Sequence, residues 1–124
     1  TPEEWVRQRI LRYLVGEISV PEGLIAVEKG FEYNGMARRA DIVVHGRDGE
    51  PLILVECKAP VVAMTQAVFD QAGRYNSVIR ARYVLISNGH RHYCFLGGTH
   101  ADSVKFVTGL PLFDVMDSSI GGHD

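Results

Sequence analysis

Asp41, Glu56 and Lys58 are the residues of this chain whose types and spacing could do chemistry. Asp41 opens the apolar run Ile42-Val43-Val44, and Glu56 and Lys58 close the run Leu52-Ile53-Leu54-Val55. Both runs read as strands, short and rich in Val, Ile and Leu. Asp48-Gly49 lies between them, and a glycine free to take positive φ makes this a hairpin signal. Side chains alternate along a strand, so Leu52, Leu54, Glu56 and Lys58 share one face, as do Asp41, Val43 and His45. If the register sets Asp41 beside Glu56, two carboxylates meet at one end of an apolar ribbon. Close carboxylates repel unless a proton or cation lies between them, so the pair invites a divalent metal. A lysine two residues along the same face then reaches whatever the metal holds. Taken alone, Glu-x-Lys is a loose pattern, and solvated strand ends produce many such trios.

Two helices must flank these strands. Ala63, Ala67, Val68, Ala72, Tyr75, Val78 and Ile79 recur at spacings of three and four, which predicts a helix from about Val61 to Arg80. Gln71 and Tyr75 share a face of it and could hold a phosphate or the lysine in place. The competing reading makes Tyr75 a core residue with a wet tip and Gln71 a bystander. Upstream, Thr1-Pro2-Glu3-Glu4 opens another helix, with Thr1 as N-cap and Pro2 as its first residue. Val6, Ile10, Leu11, Tyr13 and Leu14 form its apolar face, with Glu3 near the centre and Glu4 on the flank. Either glutamate could serve the acidic site, or both could be first-turn acids favoured by the helix dipole. The sequence does not choose between them.

The rest of the chain supplies a sheet. Leu24 to Tyr33 reads as a first strand, bulged near Gly30, followed by an Asn34-Gly35 turn. Arg38 and Arg39 then lead into the strand of Asp41, where two cations could guide a polyanion inward. Tyr83-Val84-Leu85-Ile86 reads as a buried strand and Arg91 to Leu96 as its return. Strand, crossover helix and strand imply parallel pairing within one sheet. Val104 to Leu112 suggests an edge strand, and Asp117 to Asp124 a frayed tail. With 124 residues, one domain over 1–124 is expected: a core over 1–96, then an edge strand and tail over 97–124. The net charge of −2 speaks against coating nucleic acid by bulk charge, although arginines cluster, Arg74, Arg80 and Arg82 among them. No apolar run approaches a membrane span, and the charged, amphipathic first dozen residues are unlike a secretion leader. Cys57 and Cys94 sit in apolar runs and read as reduced core thiols of a cytoplasmic protein. His90, His92 and His100 lack zinc-site spacing and read as surface residues.

Asp41, then Glu56-Cys57-Lys58, then Gln71-Ala72-Gly73-Arg74-Tyr75, resembles the PD-(D/E)XK nuclease superfamily. More narrowly, the chain resembles the N-terminal nuclease domain of type I restriction enzyme motor (R) subunits. Pro2-Glu3-Glu4-Trp5-Val6-Arg7-Gln8, Arg38-Arg39-Ala40-Asp41, the Glu-Cys-Lys-Ala-Pro run and Ser87-Asn88-Gly89 carry that likeness. The resemblance implies a restriction-endonuclease-like α/β fold with a central mixed β-sheet flanked by helices. It implies Mg2+-dependent hydrolysis of DNA phosphodiester bonds, with Mn2+ as a substitute. By position, Asp41 and Glu56 would hold the metal with the Cys57 carbonyl, and Lys58 would orient or deprotonate the attacking water. Gln71 and Tyr75 would support the site, and Glu3 or Glu4 would match a helix-one glutamate. Arg38, Arg39 and Arg74 would meet DNA. Other restriction or helicase subunits would be partners, and oligomers are possible. Ala40 stands where the superfamily name has proline. The alternative is a nuclease fold without turnover that binds DNA or docks a protein.

Overall fold

Six strands lie in sequence order in one mixed sheet, β1 Ile25–Tyr33, β2 Met36–His45, β3 Pro51–Cys57, β4 Tyr83–Ser87, β5 His92–Leu96 and β6 Phe106–Val107. The structure is a computed structural model and describes residues 1–98 and 105–120. The expectations for His100, Val104 and residues 121–124 fall outside those described. Every neighbouring pair is antiparallel except β3 and β4, which run parallel. Helix α2, Gln66–Ile79, makes the crossover between them. Helices α1, Pro2–Gly16, and α3, Phe113–Ile120, complete the described elements, with a 3-10 turn at Glu22–Leu24. The fold is therefore the expected α/β one, a central mixed sheet flanked by helices.

The sheet has two packed faces. On one, Val6, Ile10 and Leu14 of α1 and Phe113 and Met116 of α3 meet Ile42, Val44, Ile53, Val55 and Leu85. On the other, Ala72 and Ile79 of α2 meet Val43, Leu54, Val84 and Ile86. Because both faces are buried, a slip of one residue would misplace every side chain, so the register is strongly specified. It pairs Ile42 with Val55 and Val43 with Leu54, and the next step sets Asp41 across from Glu56. Thr1 Oγ1 caps α1 by accepting from the Glu4 amide at 3.1 Å.

Four expectations need correction. Helix α2 begins at Gln66 and not at Val61, because Pro60 and Val61 form a turn and Asn88 Nδ2 donates to the Val62 carbonyl at 2.8 Å. Leu52 packs on the α1 face, opposite to Leu54's partners, because the register shifts between Val44 and His45. The break in β1 lies at Glu28 and not at Gly30, which is regularly paired with Arg39. Glu28 has φ 54°, a left-handed conformation that costs a non-glycine residue on the order of 1 kcal/mol. It inverts the pleat: Ile25 packs on the α1 face, while Phe31, of the same parity, packs under α2. Finally, the residues expected to fray begin inside α3. Phe113 and Met116 are fully buried, and Arg47 Nη1 donates to Asp114 Oδ1 at 3.1 Å and Asp117 Oδ2 at 3.0 Å.

Candidate active site

The hairpin of β2 and β3 brings its two acids to one place. Asp41 Oδ2 accepts from the Cys57 backbone amide at 2.6 Å, which ties the middle of β2 to the end of β3. Glu56 is buried, and its Oε2 has no hydrogen-bond partner. Burial, and then the neighbouring Asp41 charge, push the Glu56 carboxyl up to about 8. Burial also raises Asp41, opposed by the Cys57 amide and reinforced by the charge of Glu3. Burial and mutual repulsion both work against two negative charges here, a cost that a proton or a cation would offset.

Lys58 follows directly. Its backbone amide donates to the Ser87 carbonyl at 2.8 Å, extending the β3–β4 ladder by one step. Its Nζ donates to Gln71 Oε1 at 3.1 Å. Gln71 Nε2 in turn donates to the Tyr75 hydroxyl at 3.4 Å. The Tyr75 ring packs edge-on to Phe31 at 5.0 Å and Tyr33 at 6.2 Å. Tyr75 is thus both a packed aromatic and the end of a polar relay that begins at the lysine. Helix α2 and the strand pair meet here because Gln71 and Tyr75 share a flank that faces β1, as their spacing of four requires. The turn Ser87–Arg91 holds the neighbouring loop. Asn88 Oδ1 accepts from the amides of His90 at 3.0 Å and Arg91 at 2.8 Å, while Asn88 Nδ2 reaches the Val62 carbonyl.

The family described as Type I restriction enzyme R protein N terminus (HSDR_N) matches residues 2–111. The chain belongs to that family. Among solved structures, it is similar to a fragment of a putative HsdR subunit of a type I restriction enzyme from Vibrio vulnificus YJ016. The two share 19% identity and a TM-score of 0.66 over 94% of this chain and 25% of that one. This likeness agrees with the fold described above, and the chain spans about a quarter of that fragment's length. SSO0001 is more distant, at 13% identity and TM-score 0.44 over 80% of this chain and 52% of its own. No curated protein matches the chain.

In this R protein N-terminal domain the two helix-one glutamates part ways. Glu4 is turned to Arg7 Nη2 and accepts from Gln8 Nε2 at 2.8 Å. Glu3 acts electrostatically on both Asp41 and Glu56, raising the proton affinity of each. Arg39 Nη1 reaches Glu28 Oε1 at 2.9 Å, and Arg38 Nη1 turns back to the Ala37 carbonyl at 2.9 Å. Arg74 lies on another flank of α2, lining a groove of about 1230 Å³ with Phe69, Arg80, Arg82 and Phe106. Neither Asp41, Glu56 nor Lys58 lines that groove. Cys57 and Cys94 are free buried thiols, both raised by burial, Cys94 to about 11.

Among the described residues, no three His, Cys, Asp or Glu side chains gather into a metal cage. A hard cation such as Mg2+ does not require one, since it takes one or two carboxylates and fills its shell with water and substrate oxygens. Asp41 and Glu56 fit that demand, and the unpartnered buried Glu56 Oε2 is an oxygen without any other bond to make. Reasoning from sequence missed Glu28, which nothing in the sequence marks and whose left-handed backbone is visible only in the structure.

Proposed function

We propose that this domain is a divalent-metal-dependent nuclease that hydrolyses DNA phosphodiester bonds in a restriction system. The observation that carries the reading is the convergence of Asp41, Glu56 and Lys58 at the end of the hairpin, with Lys58 hydrogen-bonded to Gln71. Asp41 and Glu56 would hold Mg2+, or Mn2+ in its place, with the Cys57 carbonyl as a third oxygen and Glu3 nearby. When bound, the ion polarises the phosphoryl oxygen and makes a coordinated water more acidic. Lys58, held at Nζ by Gln71, orients the attacking water and offers positive charge to the transition state. Tyr75 keeps the Gln71 amide from rotating away. Arg38, Arg39 and Arg74 are candidates for backbone phosphates, a use suited to the guanidinium fork. The R protein family suggests a setting with DNA and further restriction or helicase subunits, and we propose that the chain works there, in the cytoplasm. The chain has no separate DNA-reading element among its described residues, so sequence specificity would come from such partners.

Plasmid nicking tests the reading. The unaltered chain should nick supercoiled DNA with Mg2+ or Mn2+ and not with chelator, and Lys58→Ala should abolish nicking while retaining Mn2+ binding. Equal nicking by Lys58→Ala would overturn it. Metal and DNA binding without any nicking would favour a fold that docks DNA and does not turn over.

A further inference from the structure

The strained residue of β1 sits beside the site and its side chain points to a purpose. Val27 pairs with Ile42 and Lys29 with Ala40, so Glu28 stands in line with Asp41. Its left-handed backbone takes it out of the ladder there. Both of its carboxylate oxygens are used, Oε2 by Arg7 Nη1 at 2.7 Å and Oε1 by Arg39 Nη1 at 2.9 Å. The second Arg7 nitrogen, Nη2, holds Glu4. The Arg7 side chain is 16% exposed and its Nε–H is buried without a partner. A solvated surface pair would leave that group wet, so the guanidinium is wedged in place between α1 and the β1–β2 edge. Arg7 follows Glu3 by four residues, one turn along the same helix flank.

We propose that Arg7 and Glu28 form a clamp that fixes the first turn of α1 against β1 and so delivers Glu3 to the Asp41–Glu56 site. Both are positioning residues. The inference rests on the reading of Asp41 and Glu56 as metal ligands. The geometry behind it is that Arg7 ends on Glu28, and Glu28 stands level with Asp41 on the neighbouring strand. Arg39 braces Glu28 from the other side, which explains why a carboxylate is kept on a backbone that glycine would adopt without strain.

Calorimetric titration with Mn2+ tests the clamp in the unaltered chain, Arg7→Gln, Arg7→Lys, Glu28→Gly and the Arg7→Gln/Glu28→Gly double variant. Glu28→Gly keeps the left-handed backbone accessible, and circular dichroism melts report whether each variant folds. Each single variant should bind Mn2+ roughly tenfold more weakly, the loss typical when a group orienting a ligand is removed. The double variant should bind no more weakly than the weaker single, because the two residues act as one unit. Arg7→Lys should fall with Arg7→Gln, since an ammonium cannot grip Glu4 and Glu28 as a fork does. Folded variants that bind as the unaltered chain does, losses that multiply in the double variant, or full affinity in Arg7→Lys would overturn the clamp. Absence of binding by the unaltered chain would overturn the metal reading itself, and the clamp with it.

Discussion

The buried Glu56 carboxyl makes stability depend on pH in a direction opposite to the usual surface acid. Its folded-state value is about 8 against an ordinary 4.5, so folding takes up a proton between those limits. Stability from this group is fully present below 4.5 and is lost as pH rises through about 8. One proton difference is a slope of about 1.4 kcal/mol per pH unit. Across the interval from 4.5 to 8 the loss is on the order of 5 kcal/mol, with Asp41 shifting it in the same sense. A domain stabilised by roughly 5–15 kcal/mol would feel this as a large fraction of its total.

Glu56→Gln isolates the effect, since an amide resembles the protonated acid in shape and does not titrate. Urea unfolding would be followed by circular dichroism in chelator, at several pH values between the two limits. The two proteins should be nearly equal at the acidic end, and Glu56→Gln should be the more stable by on the order of 5 kcal/mol at the alkaline end. Adding Mn2+ at about a hundredfold over its dissociation constant should restore about 2.7 kcal/mol to the unaltered protein and little to Glu56→Gln. Parallel stability curves for the two proteins across the whole range would refute the reasoning, because they would mean that Glu56 is as ionised when folded as when unfolded.

Other consequences follow from single contacts. Gln71→Leu removes the acceptor that holds Lys58 Nζ, and nicking rate should fall roughly tenfold with Mn2+ affinity unchanged. Tyr75→Phe keeps the packing on Phe31 and should cost less than Gln71→Leu in the same assay, since its bond at 3.4 Å is long. Gly97→Ala would put a methyl 2.0 Å from the Ala81 carbonyl oxygen, so the variant should melt well below the unaltered protein or fail to fold in a soluble-expression assay. Phe113→Ala removes a fully buried ring from the α1 face and should cost about 3–5 kcal/mol in urea unfolding.

Legibility in the sequence tracked the range of the interactions involved. The Asp41–Glu56 pairing could be read because the hairpin is local and both strands are buried, so one register satisfies the apolar pattern. The Gln71–Tyr75 pair could be read because helical spacing alone sets it. The start of α2 could not, since what holds the preceding loop is Asn88, 26 residues beyond the Val62 carbonyl it binds. The break at Glu28 was masked by Gly30, the residue that local propensity favours. Only Arg7 and Arg39, which meet Glu28 in space, explain why the glutamate takes the strained place. Helix α3 was obscured by the small polar residues around it, although Phe113 and Met116, three apart, carry the signal of a buried face.

The position of the site follows from how the sheet is connected. Strands β3 and β4 are the one parallel pair among the described strands, and such a pair needs a crossover on one side. After Cys57 the chain must leave the sheet to reach α2, and after Ser87 it must turn back toward β5. The Lys58–Ser87 bond closes the parallel ladder, and Asn88 ties the loop after it to the Val62 carbonyl, at the end of the parallel strands where α/β sheets commonly receive ligands. Residues 53–55 of β3 are apolar and pack on both faces, and Cys57 still packs in the α1-face core, whereas Glu56 and Lys58 are the polar residues at the end of the same strand. One strand therefore carries the core in its middle and the candidate site at its exit. The cost of placing Glu56 there falls on stability at alkaline pH, and a cation is the group able to offset it without removing the charge.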